Sequence, residues 1–249
     1  MTRIDLHVTP SEVERAALEQ RQIVVVDVLR TCTSAAHALR NGAAKIIPVE
    51  TVEEATRLAQ TLDPKSRLLC GEREGRKVSG FDLGNSPREY DRENVEGKTL
   101  VFASTNASPL MAGLLEGRDQ RLLGYVNLSA VAGAVRRDSA DLAIVCAGRN
   151  GRVSLEDFAC AGALVRRLTD SDRSIAVNDA AELARAYDAA HGHAPEAILR
   201  QSEHGRYLIE LGFEGDLPVC AAVDGVPVVP FLKDGRITAE PPAGDGAAS

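Results

Sequence analysis

Short apolar runs alternate with amphipathic stretches through the first two-thirds of this chain. The runs are continuous and rich in Val, Ile and Leu, which is typical of strands buried on both faces of a parallel sheet. They occupy residues 23–26, 45–49, 67–70, 100–103, 122–126 and 142–146. Helix-like stretches with polar N-cap signals follow most of them, as at Thr51 and Ser154. The alternation predicts an α/β fold, a three-layer α/β/α arrangement with a largely parallel, mixed sheet.

The pattern changes in two places. Residues 71–90 hold several glycines and many charged residues with no periodicity, and a loop of that length in a compact domain usually has a function. Near the C-terminus, apolar runs at 218–223 and 226–231 flank Asp224-Gly225, which predicts a β-hairpin there. Residues 1–238 are expected to form a single domain, with two intimate lobes as the alternative. Residues 239–249, rich in Ala, Gly and Pro, predict a disordered tail.

Composition restricts the partners and the compartment. The 249 residues carry a net charge of −7, which argues against a broad basic surface for nucleic acid. The start of the chain lacks the apolar core of a signal peptide, and no run reaches membrane-spanning length, so we expect a cytoplasmic protein without a membrane partner. The five cysteines lack zinc-like spacing and are expected to be reduced thiols.

Candidate chemistry lies where the apolar runs end. In α/β sheets, ligands bind outside the carboxyl ends of the strands, so polar residues that follow several strands can meet in one cleft. Asp27 directly follows the run at 23–26 and can bind a divalent cation or attack phosphorus, although capping of the next turn explains it equally well. Glu72 and Asp82, on the long loop, are oxygen donors suited to Mg²⁺.

The remaining candidates would bind an anionic substrate. Only five of the 29 basic residues are Lys, so oxyanion binding falls to Arg, which can grip such groups with two hydrogen bonds. Arg149 lies between a buried run and a predicted helix start, where the helix dipole favours anions. Further donors in the same strand-end segments are Arg30, Arg73, Asn85, Ser86, Thr105, Asn106 and Asn150.

Two other functions are compatible with these residues. Cys146 and Arg152 have the Cys-x5-Arg spacing of cysteine phosphatases in a strand–loop–helix context, which would allow phosphate-ester hydrolysis without a metal. A non-enzymatic module that binds phosphorylated acids would use the same anion donors. Loss of activity on thiol alkylation would favour the first alternative, and ligand binding without turnover would favour the second.

Taken together and in this order, the segments resemble the 2-phosphosulfolactate phosphatase family. The resemblance covers nearly the whole chain except the tail. Its segments are 26–30 (VDVLR), 71–73 (GER), 80–87 (GFDLGNSP), 104–106 (STN), 146–151 (CAGRNG), 155–157 (LED), 160–163 (CAGA), 202–208 (SEHGRYL) and 216–217 (DL). Ala107 and Cys32 depart from the family pattern, which leaves a related 2-hydroxyacid phosphate open as the substrate.

The resemblance implies a family-specific α/β fold and a Mg²⁺-dependent phosphatase that converts 2-phosphosulfolactate to sulfolactate and phosphate, a step of coenzyme M biosynthesis. On this interpretation Asp27, Glu72 and Asp82 hold the metal. Asp27 or Asp82 activates water or attacks phosphorus directly, and Arg149 stabilises the charge of the transition state. The partner is a small anionic phosphate ester, and a homo-oligomer is compatible with the sequence.

Overall fold

A computed structural model describes residues 1–115 and 117–240. Its strands are β1 Arg3–His7, β2 Gln22–Val26, β3 Lys45–Pro48, β4 Arg67–Arg73, β5 Arg76–Lys77, β6 Thr99–Ala103, β7 Gln120–Leu123, β8 Leu142–Cys146, β9 Ala176–Val177, β10 Pro230–Lys233 and β11 Arg236–Ala239. Its helices are α1 Thr31–Arg40, α2 Val52–Ala59, α3 Arg92–Val95, α4 Ala107–Pro109, α5 Leu128–Asp138, α6 Leu155–Ser171, α7 Asp179–His191, α8 Pro195–Gln201, α9 Glu203–Glu210 and α10 Asp216–Ala221. Among the described residues, no helix is both long and apolar enough to cross a membrane.

The strands form one sheet in the order β5-β4-β6-β3-β11-β10-β7-β2-β8-β1-β9. One half, β4-β6-β3, is parallel, and so is the other, β7-β2-β8-β1-β9. The hairpin β10–β11 lies between them and pairs antiparallel with β7 on one side and β3 on the other. Three consecutive antiparallel pairings therefore make the two parallel halves run in opposite directions.

Helix α1 packs where the two halves face each other. Its residues Cys32, Ala35 and Ala38 share one apolar cluster with residues of β2 and of β6, such as Val25 and Phe102. Those strands lie far apart in the sheet order and run in opposite directions. A hydrogen bond nevertheless joins Asn106, after β6, to Asn150, after β8, so the sheet curves around α1. The opposite face of β2 packs in a second cluster with α5, α6 and α7. These layers confirm the predicted three-layer α/β/α arrangement.

The predicted C-terminal hairpin exists, but its predicted position was wrong. Residues Asp216–Ala221 form α10, and the hairpin turns at Asp234-Gly235 instead of Asp224-Gly225. Asp234 and Gly235 both have positive φ, as a tight two-residue turn requires. The segment before Asp224 is helical because Leu217 and Cys220 occupy one buried helix face against the core.

The predicted tail begins inside the described part of the chain. Ala239 ends β11, and Glu240 forms an ion pair with the buried Arg121 at 2.8 Å. Residues 241–249, the rest of the predicted tail, lie outside the described residues.

The long segment at 71–90 is more regular than its composition suggests. Strand β4 extends to Arg73 and turns back into β5 as a small hairpin, and the chain then returns along β4. Gly71 allows this because its φ is 145°, and a side chain there would place Cβ 2.0 Å from the Ala103 carbonyl oxygen of β6. The glycine therefore lets β4 and β6 approach closely at the point where both end.

Candidate active site

A cavity of about 90 Å³ collects residues from four strand-end segments, those at the ends of β2, β4, β6 and β8, and from the first turns of α9. Its lining is Asp27, Leu29, Arg30, Thr31, Glu72, Glu74, Gly75, Asn85, Thr105, Asn106, Arg149, Asn150, His204 and Tyr207. The expected meeting of the segments therefore occurs. Its cause differs from the expectation, because the ends of oppositely directed strands meet through the curvature of the sheet and not along one edge of it.

Direct hydrogen bonds join the segments to one another. The carboxylate of Glu72 accepts from the backbone N–H groups of Gly75, at 2.8 Å, and of Thr105, at 2.7 Å. Asn106 Oδ1 accepts from the backbone N–H of Asn150 at 3.0 Å, which links the segment after β6 to the segment after β8. These bonds hold the polar walls in place without a ligand, and preorganised polar groups are what phosphoryl transfer requires.

Asp27 is the buried carboxylate of the cavity. It follows β2, is only 4% exposed, and its Oδ1 accepts a hydrogen bond from the backbone N–H of Thr31 in the first turn of α1 at 3.1 Å. Burial raises the pKa of Asp27 to about 6, with the charge of Glu72 adding to the rise and the charge of His204 opposing it. A carboxyl group with that pKa is largely ionised at neutral pH yet still a competent proton acceptor.

Arg30 lines the cavity, but its buried guanidinium also joins segments of the fold to one another. Its Nη1 pairs with Asp216 at 2.8 Å, both side chains being almost fully buried, and its Nη2 donates to the carbonyl of Gly75 at 2.7 Å. The guanidinium also stacks on the ring of Phe213, 4.5 Å from its centroid. Arg30 therefore ties the segment after β2 to the β4–β5 turn and to α10, and its charge is already compensated.

Arg149 is better placed to meet a substrate. It stacks on the ring of Tyr207, 4.6 Å from its centroid, and pairs at 2.8 Å with Glu203, whose side chain is 74% exposed. An ion pair with so exposed a partner is weak and easily exchanged for a ligand. A second cavity of about 390 Å³ adjoins the first and shares Arg149, Asn150 and His204 with it.

His204 is the main site residue that the sequence prediction missed. It lies in the first turn of α9, lines both cavities, and its Nδ1 is 3.3 Å from Oε1 of Glu156, which is 1% exposed. Its segment, 202–208, was part of the family resemblance, but the five histidines show no metal-ligand spacing and gave no separate signal. Tyr207, one helical turn later, belongs to the same segment and was also missed.

The structure does not bring three of the predicted residues to the cavity lining. Asp82 is exposed, and its carboxylate accepts from the backbone N–H of Leu69 at 2.7 Å, which pins the loop to β4. Arg73 donates to the carbonyls of Glu72 and Glu50 instead of facing the cavity. Ser86 donates to Asp216 at 2.6 Å and so supports the Arg30 ion pair. Sequence spacing could not show which side of its segment each of these side chains would take.

The cysteine alternative finds no support in the geometry. Cys146 is fully buried at the end of β8, it is absent from the lining of both cavities, and burial raises its pKa well above the ordinary value. A thiol in that state is a poor nucleophile. Within residues 1–115 and 117–240, all five cysteines are buried and unpaired.

The oxygen donors of the cavity fit a hard divalent cation, although in a different set from the predicted one. Among the described residues there is no group of three His, Cys, Asp or Glu side chains that could hold a metal. The cavity nevertheless holds Asp27 and Glu72, and it holds Asn85, whose buried Oδ1 has no hydrogen-bond partner among the residues that the structure describes. Mg²⁺ is commonly bound through one or two carboxylates, neutral oxygens, water and substrate phosphate, and this donor set matches that preference.

Comparison with known proteins identifies a family that this chain matches over most of its length. The family model described as 2-phosphosulpholactate phosphatase matches residues 7–235. A protein of Thermotoga petrophila named probable 2-phosphosulfolactate phosphatase is 41% identical over 220 residues, which cover 88% of this chain and 92% of that protein. A protein of the same name from Carboxydothermus hydrogenoformans is 38% identical over 240 residues, covering 96% of this chain and 97% of its own.

Proposed function

The chain belongs to the 2-phosphosulfolactate phosphatase family, and from that premise we propose that it is a phosphoric monoester hydrolase acting on 2-phosphosulfolactate or a closely related 2-hydroxyacid phosphate. The observation on which the proposal depends is the single cavity into which all four strand-end segments project. It combines a buried carboxylate, a second carboxylate held by backbone donors, and an Arg with a weak partner.

The shape of the site supports a substrate with more than one anionic group. The smaller cavity holds Asp27 and Glu72 and suits the phosphoryl group, whereas the larger adjoining cavity is lined by Arg149 and Arg152. Guanidinium groups bind carboxylate and sulfonate oxygens through paired N–H donors. A substrate that places its phosphate in the smaller cavity and its other acid groups in the larger one would use both cavities at once.

We also propose that Mg²⁺ is bound by Asp27 and Glu72 with the Oδ1 of Asn85. When bound, Mg²⁺ would neutralise charge on the phosphoryl oxygens, which is its usual contribution to phosphoryl transfer. Asp82, predicted from the sequence as a third ligand, is not part of this set because its carboxylate is bound to the backbone of β4.

The reacting groups of the chain follow from the same geometry. Thr31 holds Oδ1 of Asp27, which leaves Oδ2 to accept a proton from the attacking water. Arg149 would release Glu203 and bind the substrate, with Asn106 and Asn150 as amide donors beside it. Thr105 would contribute its Oγ1, which is buried and without a hydrogen-bond partner.

The physiological setting is proposed from the family resemblance and from the sequence. We propose that the product sulfolactate enters coenzyme M biosynthesis and that the reaction takes place in the cytoplasm. A homo-oligomer remains a prediction from the sequence.

Phosphate release from a panel of 2-phosphohydroxyacids, measured with Mg²⁺ and after chelation, tests the proposal. We expect release from 2-phosphosulfolactate to exceed that from 2-phospholactate, which lacks the sulfonate, and to fall on chelation and return with Mg²⁺. Titration of the metal-free protein with Mn²⁺, followed by electron paramagnetic resonance, checks the metal site independently, and Glu72→Gln should weaken that binding. Absence of phosphate release across the panel would refute the phosphatase function.

A further inference from the structure

His204 and Glu156 form a close pair to which the proposed reaction, as described above, assigns no role. Glu156 lies in the first turn of α6, two residues beyond the cap at Ser154, and is 1% exposed. A carboxylate so deeply buried is costly unless a cation pairs with it. In the part of the chain that the structure describes, His204 is the basic side chain that pairs with it, with Nδ1 3.3 Å from Oε1.

The pairing bears on the charge of Glu156. Burial raises the pKa of Glu156, but the adjacent ring of His204 outweighs burial, so the net pKa of Glu156 lies below its ordinary value. Glu156 is therefore an anion. A carboxylate at Nδ1 fixes the orientation of the ring, as it does for other catalytic histidines.

The ring is also rigidly placed with respect to the cavity. Ser202 caps α9 by accepting from the backbone N–H of Gly205 at 2.9 Å. A Cβ at Gly205 would lie 1.7 Å from the carbonyl oxygen of Leu199, so the first turn of α9 sits directly on α8. With Nδ1 turned to Glu156, Nε2 is on the far side of the ring, and His204 lines the cavity that contains Asp27.

We propose that His204 is the general acid of the reaction, donating a proton from Nε2 to the ester oxygen of the leaving group, and that Glu156 is its positioning residue. This inference rests on the proposed phosphatase function and extends it. A 2-hydroxyacid ester needs such a donor because its leaving group is an alkoxide, a strong base that departs slowly unless it is protonated.

The proton and electron balance is complete with the groups present. Water supplies the oxygen that becomes bonded to phosphorus, and Asp27 accepts the proton that this water loses. The P–O bond to the organic group breaks with its electron pair on the ester oxygen, and the proton from His204 converts that oxygen to an alcohol. Proton exchange with solvent then returns Asp27 to its anionic form and His204 to its cationic form.

The test compares two phosphate esters whose leaving groups differ in how strongly they require protonation by a general acid. 2-Phosphosulfolactate releases an alkoxide, whereas p-nitrophenyl phosphate releases a weakly basic phenolate. We expect His204→Gln to lower kcat for the alkyl ester by about 100- to 1,000-fold and kcat for the aryl ester by less than about fivefold. Glu156→Gln should give the same selective loss at about tenfold, with KM little changed, which a merely structural role would not produce.

Matched controls use residues of the same types outside the site. His193→Gln and Glu182→Gln change exposed side chains of the C-terminal third and should leave both esters unaffected. If His204→Gln fails to fold, Glu156→Gln provides the same comparison. Addition of imidazole to His204→Ala should restore hydrolysis of the alkyl ester.

Two outcomes would overturn the inference while leaving the phosphatase function standing. Equal loss with both esters, expressed mainly in KM, would make His204 an anion-binding residue instead of an acid. Unchanged hydrolysis of the alkyl ester in His204→Gln would remove it from the reaction altogether. If the unmodified protein hydrolyses neither ester, the proposed function itself fails, and this inference fails with it.

Discussion

Asp27 illustrates how a functional side chain acts against stability. Its folded-state pKa of about 6 lies above the ordinary 3.8, so between these pH values the folded chain holds a proton that the unfolded chain has lost. Stability is therefore lost as pH rises through this window, and above it the ionised, buried carboxylate costs about 3 kcal/mol.

Substitution of Asp27 by Asn should separate activity from stability. We expect Asp27→Asn to lower kcat by about 100-fold or more, because the proton acceptor is removed. In metal-free protein at pH 7.5 the same variant should be more stable than the unmodified chain by about 2–3 kcal/mol, and the difference should vanish near pH 4. Urea unfolding at several pH values in chelator measures this. A variant less stable than the unmodified protein at pH 7.5 would contradict the assignment.

The buried ion pair of Arg30 and Asp216 stabilises the fold, whereas the charge of Asp27 destabilises it. Asp216→Asn would leave the Arg30 guanidinium, 2% exposed, without its counter-charge. We expect a loss of about 3–5 kcal/mol in the free energy of unfolding. The control Glu214→Gln removes an acid that pairs with Arg200 on the surface and should change stability by less than about 0.5 kcal/mol. Equal effects of the two substitutions in urea unfolding would show that burial of the pair is unimportant.

Among the larger elements, strand β4 is the one whose end is most tightly constrained. Gly71→Ala would place a methyl group against the Ala103 carbonyl of β6 and force a φ of 145° on an L-residue. We expect a loss of about 3 kcal/mol or more together with loss of activity, since Glu72 and Thr105 lie at the same two strand ends.

A glycine in open space provides the comparison for Gly71. Gly97 has a φ of 70°, and a Cβ there would meet no atom within 4 Å. Gly97→Ala should therefore cost only about 1–2 kcal/mol, the strain of a left-handed conformation, with activity retained. Thermal unfolding and phosphate release measured on both variants test this, and comparable damage from the two would exclude the close approach of β4 and β6 as the cause.

Most individual elements could be predicted from the sequence, because continuous apolar runs such as those of β2 and β8 have few alternatives to burial in a sheet. The predicted position was wrong because Asp-Gly occurs both at residues 224–225 and at residues 234–235, and local turn chemistry does not distinguish the two. Tertiary contacts decide which pair forms the turn. Strands β10 and β11 pair with β7 and β3, whereas the segment before Asp224 packs in the core as a helix.

For the whole molecule, the sequence predicted that the strand-end segments would meet but not how. A sheet whose two parallel halves run in opposite directions brings those segments together only because it curves around α1, and curvature depends on packing across the entire sheet. The side on which Asp82 and Arg73 would lie, and the approach of α9 with His204, depend on that same global geometry. Local patterns contain no information about it.

A crystal structure of the protein with Mg²⁺ and vanadate, an analogue of the transferring phosphoryl group, tests the account most directly. We expect the anion and metal between Asp27, Glu72 and Asn85, with Arg149 and His204 within hydrogen-bonding reach of the bound group. Vanadate bound at another place, with this cavity containing neither anion nor metal, would contradict the account.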